Sequence, residues 1–114
     1  MKGRAFMDRK REIKIKERIQ ERYDILEALY SSWFTEKPVL EFPKENFYQQ
    51  GHIEKHRAIT YLVDKGYIVA NSAENDPETV EVSITSDGID FYEQGLLSGK
   101  GEGWSIVTEH IENK

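Results

Sequence analysis

The stretch that decides the fold runs from His52 to Tyr92 and reads HIEKHRAITYLVDKGYIVANSAENDPETVEVSITSDGIDFY. It begins with apolar residues at helical spacing, reaches a glycine at position 66, and continues with two segments rich in β-branched and aromatic residues. A polar turn separates these two segments, and a second helical pattern follows them. The sequence therefore predicts helix, glycine stop, strand, turn, strand and helix, in that order.

The first helix of this stretch is predicted over residues 53–65. Its apolar positions recur three and four residues apart, as expected of a helix that buries one face. The predicted buried stripe is Ile59, Leu62 and Val63. Gly66 follows where a left-handed cap is required, because glycine adopts positive φ without steric cost.

A β-hairpin is predicted next, with strands at residues 67–72 and 79–85. The second strand alternates apolar and polar residues, which indicates one buried and one exposed face. Residues 73–78 contain Asn75, Asp76 and Pro77, which are typical turn residues, and form the predicted tip.

A second helix of this stretch is predicted over residues 86–97. Thr85 can cap it, with Ile84 and Ile89 in the positions of a hydrophobic staple. Gly88 in the first turn would allow the helix to approach its neighbours closely. Residues 98–103, SGKGEG, predict a flexible linker.

Upstream of this stretch, no glycine or proline occurs from Arg4 to Lys37, so a long helix is allowed there. Apolar residues at helical spacing predict a first core helix over Ile19–Trp33. Residues 1–18, called the arm below, are predicted to be a basic helical extension. The arm is either a solvated extension or a segment that follows phosphates or grips a partner, through Arg9, Lys10, Arg11, Lys14 and Arg18.

The connection between the first core helix and the helix over residues 53–65 contains a short apolar segment and a short helix. Leu40 and Phe42 suit either one edge strand or a packed connection. Pro43 is well placed to precede a helix over residues 44–50, closed by Gly51, with Phe47 as its core anchor.

The C-terminal segment, residues 104–114, has apolar residues at helical spacing. A lone amphipathic helix of this length is marginal in water and needs a packing surface. It therefore either folds back onto the domain or meets a second subunit. The candidate dimer-interface residues are Trp104, Val107 and Ile111.

Charge is distributed unevenly along the 114 residues, whose net charge is −5. Residues 1–22 carry nine Lys or Arg and four acids, whereas residues 23–114 carry seven basic residues and seventeen acids. Nucleic-acid binding would therefore require a local basic patch, because phosphate neutralisation supplies most non-specific affinity. There is no cysteine, and no apolar run approaches the length of a membrane helix, so we expect a cytoplasmic location and no membrane partner.

Two further groups of residues, the histidines near position 54 and the aromatic residues, are better explained by structural roles than by a chemical function. His52 and His56 have metal-ligand spacing, but Glu54 between them does not match the carboxylate position of zinc protease motifs. We expect no metal, no cofactor and no enzymatic activity. Most aromatic residues are expected in the core, namely Trp33, Phe34, Phe42, Phe47, Tyr48, Tyr67, Phe91 and Tyr92.

The predicted element order, with the phrases YLVDKGYI and ITSDGIDFYEQ, resembles the winged helix-turn-helix superfamily, in particular small bacterial or phage regulators. The resemblance covers roughly residues 19–97. It implies an α+β, mostly helical fold with a three-helix core, a two-stranded β-hairpin wing and additional C-terminal helices. These motifs specify a fold more closely than a function.

The resemblance also implies that the helix over residues 53–65 is a recognition helix that reads DNA in the major groove. The candidate DNA-binding residues are Lys44, His52, Lys55, His56, Arg57 and Tyr61. The wing sequence SAENDPET departs from the usual pattern, since it holds three acids and no Lys or Arg.

Two functions are therefore expected from the sequence. The first is a transcription-regulator-like protein that binds double-stranded DNA as a dimer, through the predicted recognition helix and the arm. The alternative is an acidic winged-helix module that binds another protein or its own copy without binding DNA.

Overall fold

A computed structural model describes residues 2–48 and 52–99, with side chains over residues 9–47 and 52–99. This part of the chain is α+β and mostly helical, with a small three-stranded antiparallel sheet. Its elements are α1 (Lys2–Trp33), β1 (Leu40–Pro43), α2 (Lys44–Tyr48), α3 (Ile53–Asp64), β2 (Ile68–Ala73), β3 (Asp76–Ile84) and α4 (Ser86–Ser98).

Helix α1 is continuous, so the arm and the predicted first core helix form one element. The C-terminal half of α1 contributes Tyr23, Leu26 and Leu29 to the hydrophobic core. The described arm residues contribute no member to that core. The described arm is therefore a charged part of α1 that lies outside the hydrophobic core.

The sheet has the strand order β1-β3-β2, with both pairs antiparallel. Val82 at its centre is opposite Leu40 on one side and Ala70 on the other. Of the two alternatives for the segment around Leu40, the edge strand is confirmed. The predicted pairing of the two hairpin strands is also confirmed, and β1 adds a third strand beside β3.

The hairpin tip is shorter than predicted. Ala73 pairs with Asp76, so β3 begins three residues earlier than expected and only residues 74 and 75 remain in the turn. The Asp76 carboxylate accepts hydrogen bonds from Glu78 N at 3.0 Å and Thr79 Oγ1 at 2.7 Å. These local bonds stabilise the start of β3 where the sequence had indicated a loop.

The ends of α3 and α4 meet at Thr85, whose predicted capping role is confirmed. Thr85 Oγ1 accepts a hydrogen bond from Gly88 N at 3.0 Å and donates one to the Gly66 carbonyl at 2.5 Å. Gly66 has φ of +78°, as expected after a helix that ends in a left-handed cap. A Cβ at Gly88 would overlap the Tyr67 carbonyl oxygen, so this position requires glycine.

Several expected core residues are correctly placed. Phe47 and Tyr92 are buried, while Phe42, Tyr67 and Phe91 pack against the core. Two aromatic predictions are wrong, since Trp33 and Phe34 are 41% and 64% exposed. Both lie where α1 ends, beyond the last turn that packs on the sheet.

The buried stripe of α3 also needs a correction. It consists of Ala58, Ile59 and Leu62, whereas Val63 is 40% exposed. Val63 lies about 40° from Ile59 but about 140° from Ala58 around the helix, so it stands at the edge of the buried stripe. Residues 49–51, most of the predicted linker and the segment 104–114 lie outside the described residues, and Ser98 belongs to α4.

Candidate nucleic-acid interface

The arm is joined to the first turn of α3 by an ion pair. Arg18 donates two hydrogen bonds to the Glu54 carboxylate, from Nε at 2.9 Å and from Nη2 at 3.0 Å. Lys14 Nζ lies 3.8 Å from Glu54 Oε2. The hydrogen bonds from Arg18 lower the pKa of Glu54. The acid that stood among the predicted DNA contacts is neutralised by the arm.

A cleft of about 590 Å³ lies between α1 and α3 at this ion pair, and we call it the arm cleft. It has four cations and three acids, so opposite charges are mixed within it. Its walls are formed by Lys14, Glu17, Arg18, Glu21, Arg22, Ile53, Glu54, Arg57, Ala58 and Tyr61.

Tyr61 anchors a second cation in the arm cleft. The Arg22 guanidinium lies over the Tyr61 ring, 4.1 Å from its centroid, in cation–π geometry. Arg22 Nε also donates to the Arg18 carbonyl at 3.3 Å. Tyr61 is therefore half-buried against α1 and holds Arg22, rather than projecting alone from α3.

The structure separates Lys55 from Arg57, which the recognition-helix hypothesis had grouped together. Arg57 lines the arm cleft, whereas Lys55 lines a second cleft of about 340 Å³ on the opposite flank of α3. Residues two apart on a helix are about 200° apart around its axis, so this separation follows from helical geometry. A single binding surface therefore cannot contact both side chains directly.

The remaining candidates on α2 and α3 line neither cleft. Lys44 is exposed at the start of α2. His52 precedes α3 and makes no side-chain cap, although its carbonyl accepts from His56 N at 3.0 Å. His56 is half-buried, and its carbonyl accepts from Thr60 Oγ1 at 3.0 Å.

The arm candidates fall into two groups. Lys14 and Arg18 line the arm cleft, where both approach Glu54. Arg9, Lys10 and Arg11 are exposed farther along α1. Lys10 and Arg11 lie four and three residues before Lys14 on the same helix, so they continue the charged wall of the cleft toward the N-terminus.

Two apolar side chains on α3 were missed as surface features. Ile53 is 66% exposed and Val63 is 40% exposed. Ile53 also forms part of the arm cleft. A helical wheel places Ile53 opposite the buried stripe, so the sequence contained this signal for Ile53, whereas it places Val63 only about 40° from Ile59.

The sheet and its hairpin carry negative charge. Glu41 of β1 is directly opposite Glu81 of β3, and both alternate with inward-facing apolar residues. Glu74 and Glu78 are exposed at the hairpin tip. Like charges on paired strands are unfavourable, so this face suits a cationic partner better than phosphate.

The second cleft is mainly apolar and reaches the core between α1, α2 and the sheet. Leu29, Phe47, Ile59 and Val82 form its inner wall, and Lys55 lies at its rim beside Glu21 and Asp24. The cleft is thus a gap in core packing with charged edges.

Comparison with protein-family models, curated proteins and solved structures finds no significant match to this chain. Across residues 2–48 and 52–99, no cluster of three or more His, Asp or Glu side chains could hold a metal ion. In the same ranges, no helix has both the length and the apolar composition for crossing a bilayer.

Proposed function

We propose that this chain is a winged-helix DNA-binding protein whose contact surface is formed by the arm and the Arg57 flank of α3. The element order supports this proposal, since α1, α2 and α3 precede a β-hairpin and a further helix. The observation that carries it is the Arg18–Glu54 pair, which joins the arm to the first turn of α3. The cations of both helices thereby border one cleft.

The arm would supply the electrostatic part of binding. Arg9 and Arg18 are separated by about 14 Å along the axis of α1, at a rise of about 1.5 Å per residue. The cations between them can follow several successive phosphates, and such contacts position a protein without reading sequence. Sequence reading would fall to Arg57, because arginine can donate two hydrogen bonds to guanine O6 and N7.

The hairpin would not contribute to this contact. Its tip has Glu74, Asp76 and Glu78 without a nearby cation in its own sequence, and carboxylates repel phosphate. The proposed docking therefore differs from the usual winged-helix arrangement, in which helix and wing bind together. The arm replaces the wing as the second point of attachment.

Fluorescence anisotropy with a labelled duplex, preceded by selection of a preferred sequence, tests this proposal. Arg57→Ala should weaken binding to the selected duplex by about 1–3 kcal/mol, the usual range for a good base contact. Lys37→Ala removes the same charge from an exposed position after α1 and is the matched control. Glu78→Ala should leave the affinity unchanged or increase it. Equal losses for Arg57→Ala and Lys37→Ala would refute the assigned surface.

A second candidate function is a protein-interaction module, which the exposed Ile53 and Val63 on α3 favour. Apolar side chains of this size at the centre of a surface are common in protein interfaces. Light scattering should then show a dimer for the wild type and a monomer for Ile53→Ser. A monomer in both proteins would remove the self-association form of this function.

A further inference from the structure

The apolar stripe by which α1 faces the core continues into the arm. There, the rest of the described chain no longer covers it. Leu26, Tyr23 and Ile19 follow one another at three- and four-residue spacing, and all three belong to the core or pack against it. Ile15 is four residues before Ile19 and therefore on the same side of the helix. Nevertheless, Ile15 is 47% exposed.

Helix α4 ends beside this stripe. Gly95, in its last turns, lies against the Tyr23 ring, where an added Cβ would be 2.5 Å from the Tyr23 hydroxyl oxygen. Gly99 ends the helix with φ of +64°, and its N–H donates to the Gly95 carbonyl at 3.1 Å. The chain therefore leaves α4 about one turn beyond its contact with α1.

The sequence that follows is complementary to the arm. Residues 100–114 contain three acids, Glu102, Glu109 and Glu112, and two lysines at their ends, Lys100 and Lys114. Residues 9–18 of the arm contain six Lys or Arg and two acids. The apolar residues Trp104, Val107 and Ile111 recur at helical spacing, so they can form one apolar face.

We propose that residues 104–111 bind in cis along the Ile15 side of the arm. Ile15 is about 12 Å from Tyr23 along the axis of α1, from a rise of about 1.5 Å per residue. Residues 99–103 span up to about 17 Å when extended, at roughly 3.3–3.6 Å per residue. Trp104 can therefore reach Ile15, and Glu109 of the segment then lies beside the cations of the arm.

These observations favour binding of residues 104–111 to the arm of the same molecule over binding to the arm of a second copy. A short linker gives the attached segment an effective concentration in the millimolar range, well above ordinary protein concentrations. The proposal does not depend on DNA binding, because it concerns contacts within one chain.

Trp104 fluorescence in the full chain tests this proposal. The chain has two tryptophans, so Trp33→Phe leaves Trp104 as the reporter, and Trp33 is exposed enough to accept phenylalanine. We expect emission at shorter wavelength than free indole and severalfold weaker quenching by acrylamide. Ile15→Glu in this background should restore the emission and quenching of an exposed indole. Ile13→Glu is the matched control, since Ile13 is 52% exposed on the same arm but about 200° away from Ile15.

Three results would overturn the proposal. Emission of an exposed indole before any change at Ile15 would show that the segment does not dock. Equal effects of Ile15→Glu and Ile13→Glu would exclude the Ile15 side as its surface. A blue shift that disappears on dilution would assign the contact to a second copy. Circular dichroism of each variant distinguishes loss of docking from loss of the fold.

Discussion

The two halves of α1 form one uninterrupted helix, but they contact the rest of the domain through different interactions. The C-terminal half places Leu26 and Leu29 in the core, where they are nearly or fully buried. The arm instead approaches the rest of the described chain through charged groups, with Arg18 and Lys14 at Glu54. Salt screens exposed ion pairs, whereas apolar burial involves no charge that salt could screen.

This difference separates the stability of the protein from its proposed function. A side chain in the C-terminal half of α1 stabilises the domain by leaving water, and it is unavailable to a partner. A cation on the arm adds little to stability, because exposed ion pairs are weak, and it lies at the surface, where the proposed function requires it. Substitutions in the two halves should therefore affect different measurements.

The largest expected effect comes from Leu26→Ala in the buried half. Leu26 is fully buried, so we expect a loss of about 2–5 kcal/mol in the free energy of unfolding. Ile13→Ala in the arm is the matched control and should stay within about 0.5 kcal/mol. Urea denaturation measures both. Similar losses would mean that the two halves of α1 are equally packed.

The next effect concerns the junction that places α4 against the rest of the domain. Gly88→Ala should cost about 1–3 kcal/mol, because its Cβ would meet the rigid Tyr67 carbonyl. Gly95→Ala should cost less, because its Cβ would meet the end of the Tyr23 side chain, which can move. Thermal unfolding ranks the two variants. The reverse order would show that the contact between α4 and α1 is the tighter one.

Alkaline pH tests the aromatic contact between α4 and the buried half of α1. Burial, with the nearby Glu27 and Tyr30, raises the pKa of Tyr92 to about 12. The ordinary tyrosine pKa is about 10, so the stability from the neutral phenol is fully present below about pH 10 and is lost as pH rises through about 12. Over this range the wild type should lose on the order of 2 kcal/mol more than Tyr92→Phe.

Spectrophotometric titration and denaturation at each pH measure this difference. The comparison uses the relative change with pH, so a constant cost of removing the hydroxyl does not affect it. Parallel curves for wild type and Tyr92→Phe would contradict the burial of this phenol between the two helices.

The smallest expected effect is that of Thr85→Ala. This change removes the cap on Gly88 N and the bond to the Gly66 carbonyl, so we expect a loss of about 1 kcal/mol. Ser86→Ala is the adjacent control at an exposed position. Equal stability of the two variants would show that Thr85 does not support the helix junction.

The local parts of the fold could be predicted because their causes lie within a few residues. Gly66 and Thr85 have turn and cap chemistry that neighbouring residues reveal, and the alternation along β3 identifies its buried face. The number of strands in the sheet could not be predicted from neighbouring residues. Leu40 becomes part of a strand because Val82, 42 positions later, is available as its partner.

The candidate site shows the same limit. The separation of Lys55 from Arg57 follows from helical geometry and was predictable from the sequence. The pairing of Arg18 with Glu54 joins residues 36 positions apart and depends on how α1 crosses α3. Trp33 and Phe34 were assigned to the core by residue type, but their position at the end of α1 leaves them exposed.

The dependence of DNA binding on salt tests the central claim most directly, namely that the arm and the Arg57 flank of α3 form one phosphate-binding surface. Six to ten phosphate contacts predict a loss of about 10³ to 10⁵ in affinity between about 50 and 200 mM salt. Each contacting cation that is removed should reduce the log–log slope by about 1. We predict a reduction of about 2 for Lys10→Ala/Arg11→Ala, whose side chains lie on the same side of α1 as Lys14, and none for Lys37→Ala. No binding at low salt, or one slope for all proteins, would contradict the claim.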